Sequence, residues 1–159
     1  MKKKNTPYQI DQSGKIEQTN LNTIIVLCND NIASVIFKRK SKRALQKIFR
    51  DNKKQRFFPY LAFSALLAIL LKANIPKSRV IIDHEYLNYE HLILERTHSY
   101  LKTLGVKHAP SLQFGHIGKT SSAHNLAAQI ARKKLVASKE VLLEEILKLL
   151  KPELKMTGT

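Results

Sequence analysis

The chain has 159 residues, 28 Lys or Arg against 12 Asp or Glu, and one cysteine, Cys28. This length predicts a single domain, and a hydrophobic share of 43% is enough for a real core, which excludes wholesale disorder. One cysteine excludes a disulfide framework and a cysteine zinc cluster within the chain. The net charge of +16 repels itself unless an anion neutralises it. Nucleic acid is therefore the expected partner, and an anionic membrane surface is second.

Neither a secretory signal nor a membrane anchor is expected. The basic residues 1–5 are not followed by an apolar segment. The longest apolar stretch, Phe57–Leu71, contains Pro59 and is too short to span a bilayer, so it favours a buried helix. The sequence therefore predicts a cytoplasmic protein that does not enter a membrane.

The first forty residues predict strands. Tyr8–Asp11 alternates apolar and polar residues and reaches Ser13-Gly14, which is typical of a strand entering a turn. Thr23–Cys28 is a β-branched run, as in a strand buried on both faces. The turn residues 29–31 and the apolar segment Ala33–Phe37 follow. Residues 23–37 are therefore predicted to form a hairpin.

The segment Lys38–Arg56 is strongly basic, with ten Lys or Arg in nineteen residues and one acid, Asp51. Ser41 is expected to cap a helix that buries one apolar stripe. The number of cations exceeds what solubility requires, so they are predicted to bind nucleic-acid phosphates. The predicted contacts are Lys38, Arg39, Lys40, Lys42, Arg43, Lys47, Arg50, Lys53, Lys54 and Arg56.

The second half of the chain alternates predicted helices and strands. In order they are a core helix at Phe57–Lys72, a strand at Arg79–Asp83, a helix at Tyr86–Leu104, a strand at Ser111–Phe114 and a helix at Thr120–Ala137. Ser121 or Ser122 is expected to begin the last of these, and Ser138 to cap a final amphipathic helix ended by Pro152.

A meander followed by strand–helix alternation predicts an α/β fold with a mixed five-stranded sheet and helices on both faces. The predicted domain covers residues 1–137, with residues 38–56 as a basic insertion, and residues 138–159 form a terminal helix and tail. That helix is expected either to pack on its own domain or to form a homodimer with a second copy.

Two of the few acids end predicted strands, Asp11 on the first and Asp83 on the fourth. Ligands gather beyond the carboxyl ends of neighbouring strands in open α/β sheets. If these strands are adjacent, the two carboxylates lie side by side and repel unless a proton or a metal ion separates them. Carboxylate oxygens suit Mg²⁺ or Mn²⁺. The alternative is that each acid only caps a turn or a following helix.

Three short motifs carry a resemblance. They are Asp11-Gln12-Ser13-Gly14, Asp83-His84-Glu85-Tyr86 and Ala123-His124-Asn125-Leu126-Ala127. In this order they resemble the ribonuclease H-like superfamily, which has an Asp-Gly-Ser-like segment on strand one, Asp-x-x-Tyr after strand four and Ala-Asp-x-x-Ala on its last helix. The resemblance covers residues 8–137 and implies that fold.

The resemblance implies a divalent-metal-dependent nuclease acting on RNA, RNA–DNA hybrid or branched DNA. Asp11 and Asp83 would be ligands of Mg²⁺ or Mn²⁺, and His124 would stand in place of the last catalytic Asp, as in Holliday junction resolvase-like branches. The family also has a Glu on the helix after strand three, but Phe57–Leu71 contains no acid. Glu85 is the expected replacement, because residues i and i+2 of an extended segment share a face. Glu90 and Glu17 are weaker candidates.

Two other functions stay open. One is a catalytically silent domain of the same fold that only binds nucleic acid, and the other is a basic structural or assembly protein. The glycines of Gly115-His116-Ile117-Gly118 have two residues between them, whereas those of a P-loop have four, so nucleotide hydrolysis is not expected. Lys119 is nevertheless predicted to hold one phosphate with the amides of the following helix.

Overall fold

A computed structural model describes residues 6–29, 32–118 and 121–154. Within them the chain forms an α/β fold with a mixed sheet in the order β5-β4-β1-β2-β3-β6. The strands are β1 (Tyr8–Ser13), β2 (Thr23–Cys28), β3 (Ile32–Phe37), β4 (Val80–Asp83), β5 (Leu112–Gly115) and β6 (Lys139–Glu140). The helices are α1 (Arg39–Asp51), α2 (Phe58–Ala73), α3 (Glu90–Thr103), α4 (Ser122–Ala131) and α5 (Leu143–Leu150). Residues 30 and 31 of the predicted turn, and Lys119, lie outside the described residues.

Strands β1, β2 and β3 form the predicted antiparallel meander, while β4 pairs parallel with β1 and β5 parallel with β4. The expected mixed α/β sheet is confirmed. Since β3 runs in the same direction as β1, the carboxyl ends of β1, β3, β4 and β5 share one end of the sheet. We call this end the carboxyl edge. Helix α1 begins there, directly after β3.

The sheet has a sixth strand that the sequence did not predict. Lys139 and Glu140 pair parallel with Val35 and Ile36 of β3. Ser138, expected to cap a helix, instead bonds to Ser34: its backbone N–H donates to Ser34 Oγ at 2.9 Å, and the Ser34 N–H donates to Ser138 Oγ at 3.2 Å. The open side of β3 thus captures these residues, and two paired residues are too short to show a period in the sequence.

Helix boundaries also differ from the prediction, and α5 begins at Leu143 rather than directly after Ser138. The N-cap of α1 is Lys38, which makes no side-chain cap bond, and Ser41 lies inside the helix. Helix α3 begins at Glu90 rather than Tyr86. Helix α4 ends at Ala131, two residues before Lys133 takes a left-handed backbone with φ 60°. Glycine is the usual residue with this conformation at the end of a helix, and a lysine there is uncommon. Because no glycine follows α4, nothing in the sequence marks its end.

The core lies on both faces of β2, whose residues are all buried. Ile25 and Leu27 face α2, with α3 and α5 packed beside it. Ile24 and Val26 face α4 on the other side of the sheet. Helix α4 covers that face with small and apolar residues at helical spacing, namely Ala123, Ala127 and Ile130. Helices on both faces are therefore confirmed.

Helix α2 is the centre of the larger core. The continuous helical segment Gln55–Ala73 is long and apolar enough to cross a membrane by length and composition, so the expectation that it is too short is wrong. However, 67% of the apolar window is buried inside the fold, as in the core helix of a folded domain. The prediction of a buried helix is confirmed.

Helix α5 packs within its own chain. Ile146, Leu149 and Leu150 are buried in the same core as α2, and α5 contacts both α1 and α2. Of the two alternatives for this helix, packing on its own domain is the one that the structure shows.

Candidate functional site

Three carboxylates meet at the carboxyl edge. Asp11 of β1, Asp83 of β4 and Glu85 just beyond β4 each offer an oxygen, and these oxygens all lie within 4.8 Å of one another. The cause is the strand register: Ile10 pairs with Ile82, so the next residues of the two parallel strands, Asp11 and Asp83, are neighbours. We call these three residues the carboxylate cluster. Glu90, a weaker candidate, instead places Oε1 3.5 Å from Nδ1 of His84.

Asp11 joins the cluster to α4. Its side chain is 3% exposed and faces α4, because it lies opposite Val26 on β2. Asp11 Oδ1 accepts a hydrogen bond from the Gln12 N–H at 2.8 Å. Asp11 Oδ2 lies 2.9 Å from Nδ1 of His124, in the first turn of α4. The carboxylate thereby orients the imidazole, whose side chain is 44% exposed. The fourth predicted site residue thus contacts the carboxylate cluster through Asp11.

Two backbone features hold these groups in place. Ser121 caps α4 as expected, and its hydroxyl accepts from the His124 N–H at 3.0 Å. Asp83 Oδ1 accepts from the Ile117 N–H at 3.0 Å, which ties the end of β4 to the loop after β5. Asp83 ends β4 as predicted, whereas the prediction that Asp11 ends its strand is wrong, because β1 continues to Ser13 in its pairing with β2. Both carboxylates are fixed by main-chain donors.

The pKa of Glu85 is raised by burial and by the two neighbouring acids. Burial raises its pKa most, and the charges of Asp83 and Asp11 and a hydrogen bond to Asp83 raise it further, to about 7. Lys15 opposes this shift. Near neutral pH Glu85 is therefore protonated in part of the molecules. A cation would relieve the same repulsion.

Glu85→Gln is expected to stabilise the metal-free protein above neutral pH. The folded state holds the Glu85 proton up to about pH 7, whereas an unperturbed Glu loses it near pH 4.5. The folded state therefore binds more protons between these values, and this group lowers the stability as pH rises through that range. Thermal unfolding in chelator should give a higher Tm for the variant at pH 8 and an equal Tm at pH 4.

Glu95→Gln is the matched control for this experiment, because Glu95 is exposed on α3. It should leave Tm unchanged at both pH values. Equal Tm values for wild type and Glu85→Gln at pH 8 would contradict the proposed crowding.

A tightly held loop forms one wall beside the cluster. Residues 14–22 connect β1 to β2, and Gly14 has φ +76° with the Asn22 carbonyl oxygen only 2.1 Å from where a Cβ would lie. Only glycine fits there. The Tyr86 hydroxyl accepts from Gln12 Nε2 and from the Ile16 N–H, both at 3.0 Å. This links the loop to the residue that follows Glu85.

Lys42 is part of this loop's support, and its prediction as a nucleic-acid contact is wrong. It is fully buried. Its Nζ donates to the carbonyl oxygens of Lys15, Gln18 and Leu21 at 3.0, 2.7 and 2.7 Å. Burial lowers its pKa to about 8, which leaves it charged at neutral pH. A cation with all three donors used inside the fold cannot reach a phosphate.

The other cations of the basic segment are on the surface or half-buried, and several have partners. Lys38 Nζ lies 3.0 Å from Glu140 and Lys47 Nζ 3.0 Å from Asp51. Further contacts within the fold join Arg43 to Thr19, Lys54 to Glu153 and Arg56 to Tyr89. Exposed ion pairs are weak and open easily to a phosphate. Among the described residues, no carboxylate pairs with the exposed side chains of Arg39, Lys40, Arg50 and Lys53.

Sequence reasoning missed three cations that follow α4. Arg132, Lys133 and Lys134 are exposed, and Lys133 lines the same cleft as Arg39 and Lys40. The available signal was the consecutive basic run itself. The predicted helix Thr120–Ala137 places this basic run inside a helix, so the sequence pattern does not distinguish it as a separate binding surface.

Comparisons with protein-family models, with curated proteins and with solved structures find no match to this chain. Function must therefore be inferred from its own residues.

Proposed function

We propose that the protein is a nucleic-acid-binding, divalent-metal-dependent nuclease of the ribonuclease H-like type. It hydrolyses phosphodiester bonds in RNA, RNA–DNA hybrid or branched DNA. The observation that carries this proposal is the carboxylate cluster, three acids from two neighbouring parallel strands with oxygens within 4.8 Å of one another. In a chain of net charge +16, such a concentration of acid needs a reason, and holding a cation is one.

The donors suit Mg²⁺ or Mn²⁺. Asp11, Asp83 and Glu85 offer carboxylate oxygens, which hard divalent cations prefer, and His124 adds an imidazole that Mn²⁺ accepts. The raised pKa of Glu85 supports the fit, because a bound cation would displace the proton that the cluster holds near pH 7. Metal affinity should therefore increase as pH rises through neutrality.

The chain's own residues have distinct roles in the proposed hydrolysis. A bound divalent ion would supply an activated water and stabilise charge on the phosphate and the leaving oxygen. Asp11 Oδ2, as an ionised carboxylate, accepts a hydrogen bond from His124 Nδ1–H and so leaves Nε2 as the free nitrogen. Nε2 then has one of two roles: it would ligate Mn²⁺, or, when it is not a ligand, it takes a proton from the attacking water. The exposed cations Arg39, Lys40, Arg50 and Lys53 bind backbone phosphates of the substrate.

A second candidate is a silent domain of the same type that binds nucleic acid without cutting it. It is favoured by the helices after β3, where the resemblance implies a further catalytic acid. Helix α2 contains no Asp or Glu, and the one acid of α1, Asp51, is exposed and pairs with Lys47. With three carboxylates rather than four, the site has fewer ligands to fix a metal.

Cleavage assays separate the two candidates. Labelled hybrid, single-stranded RNA and a four-way DNA junction are incubated with Mn²⁺ or Mg²⁺, or with chelator. We expect products with metal, none with chelator and none from Asp83→Asn, because removing one carboxylate lowers the charge that holds the cation. Asp51→Asn, which removes the same charge from an exposed site, should cleave like wild type.

Binding to these nucleic acids without any metal-dependent cleavage would contradict the nuclease and favour the silent domain. Cleavage that persists in Asp83→Asn would show that another site is responsible.

A further inference from the structure

A cleft of about 850 Å³ lies on the α4 side of the sheet, next to the carboxylate cluster. Its floor includes Ile24 and Ile36, which are paired neighbours on β2 and β3. One wall is the loop of residues 14–22, and the other is the segment that follows α4. This volume falls in the range of small-ligand pockets. We call it the α4 cleft.

The cations of the α4 cleft are not neutralised by the fold. Arg39, Lys40 and Lys133 line it, and all three are exposed. Glu140 is the one acid among the lining residues that the structure describes, and Lys38 pairs with it at 3.0 Å. The balance of charge in the cleft is therefore positive, and an anionic occupant is complementary to it.

Apolar side chains stand beside these cations. Val136 is 94% exposed and Leu135 is 43% exposed, and both line the cleft. Exposed apolar side chains lie next to unpaired cations in this cleft. Such a surface is complementary to an occupant that carries negative charge and also has a flat apolar face. A polynucleotide strand has both properties, since phosphates alternate with bases.

The α4 cleft and the carboxylate cluster lie on the same face of β1, a short distance apart. Ser13 lines the cleft and lies two residues after Asp11 on β1, so both side chains are on the α4 face, about 7 Å apart along the strand. Helix α4 joins the two places as well. His124 at its start contacts Asp11, and Ile130 and Ala131 at its end line the cleft.

We propose that the α4 cleft binds an unpaired stretch of nucleic acid whose scissile phosphate lies at the carboxylate cluster. This names the substrate class of the proposed nuclease and rests on that function: the strand is single at the site, as in single-stranded RNA or DNA or the open flank of a branched molecule. The exposed apolar side chains Leu135 and Val136 favour an unpaired strand over a duplex, because the faces of paired, stacked bases are not free to contact them. Arg39, Lys40 and Lys133 bind its phosphates, and Val136 contacts a base.

The test measures binding without cleavage. Fluorescence anisotropy in chelator follows a short labelled oligouridine, an oligothymidine and a blunt duplex of equal length. The cleft variant is Arg39→Gln, Lys40→Gln and Lys133→Asn combined, with Asn at position 133 because it tolerates the positive φ there. Lys72→Gln, Lys77→Gln and Arg79→Gln combined removes the same charge from exposed residues near the opposite edge of the sheet.

We expect the cleft variant to weaken single-strand binding at least about tenfold near 0.1 M salt and to reduce the salt slope by about 2, or 0.7 for each lost phosphate contact. The control triple variant should bind like wild type, and the duplex should lose less affinity than the single strands. Val136→Ser should weaken single-strand binding without changing the salt slope, because it removes an apolar contact and no charge.

Three results would overturn the proposal: an equal loss in the control variant, which would mean that only net charge matters; an equal loss for the duplex; or uridine monophosphate binding as tightly as the oligonucleotide. Failure of the proposed nuclease is a separate outcome. It would appear as absent metal-dependent cleavage by wild type, whereas the binding results in chelator still decide whether the cleft holds a single strand.

Discussion

Asp11→Asn is expected to lower metal-dependent cleavage by roughly 10³-fold and to leave nucleic-acid binding in chelator unchanged. Charge stabilisation by a bound cation contributes several kcal/mol to such reactions, and about 4 kcal/mol corresponds to this factor. Asp11 is the residue on which two parts of the site depend. It contributes an oxygen to the carboxylate cluster and holds Nδ1 of His124 at 2.9 Å.

The amide of Asn keeps the volume of the side chain and can still bond to the Gln12 N–H. Loss of the fold is therefore not the expected cause of lost activity, and an unchanged circular dichroism spectrum with a Tm no lower than that of wild type would verify this. Single-turnover rates with Mn²⁺ in excess separate lost chemistry from weak metal binding. Asp51→Asn is the matched control, since Asp51 is the one Asp among the described residues that lies outside the cluster.

His124→Ala in the same assay shows whether the imidazole takes part. If Asp11→Asn and His124→Ala both cleave like wild type, the carboxylate cluster is only a structural feature of the sheet edge. A loss in Asp11→Asn alone would assign the chemistry to the carboxylates and leave the histidine as their neighbour.

The approach of the carboxylates could be predicted because it follows from a general property of sheets. Asp83 ends β4, and Asp11 is the first residue of β1 beyond its pairing with β4, so the parallel neighbouring strands bring the two acids together although β1 itself continues to Ser13. The place of His124 came from the resemblance of its helix to a known motif. No local pattern in the sequence points an imidazole on α4 toward a carboxylate on β1.

Features that depend on long-range packing were outside the reach of the sequence. In the sequence, Lys42 is one of the ten cations of the basic segment. Its burial depends on where the loop of residues 14–22 crosses α1. Strand β6 depends on the open side of β3. The α4 cleft brings Arg39 and Lys40 to Lys133 from distant parts of the chain. Composition gives the number of these charges but does not determine which of them share a surface.

Lys42→Ala is expected to destabilise the protein by about 3 kcal/mol, the largest effect expected for any of the ten cations in the basic segment. The substitution leaves three carbonyl oxygens of the loop without their donor, and each such loss costs about 1 kcal/mol or more. It also leaves a cavity where the fully buried side chain lay. Urea unfolding, followed by circular dichroism, measures the change.

Lys47→Ala is the matched control, because it removes the same charge from an exposed site one turn and a half further along α1. Its effect should stay within about 0.5 kcal/mol. Lys42→Met keeps the apolar stem but loses the ammonium donors, so its stability should fall between Lys42→Ala and wild type. If Lys42→Ala unfolds at the same urea concentration as Lys47→Ala, the side chain does not support the loop. Lys42 would then belong again with the surface cations that are free to bind phosphate.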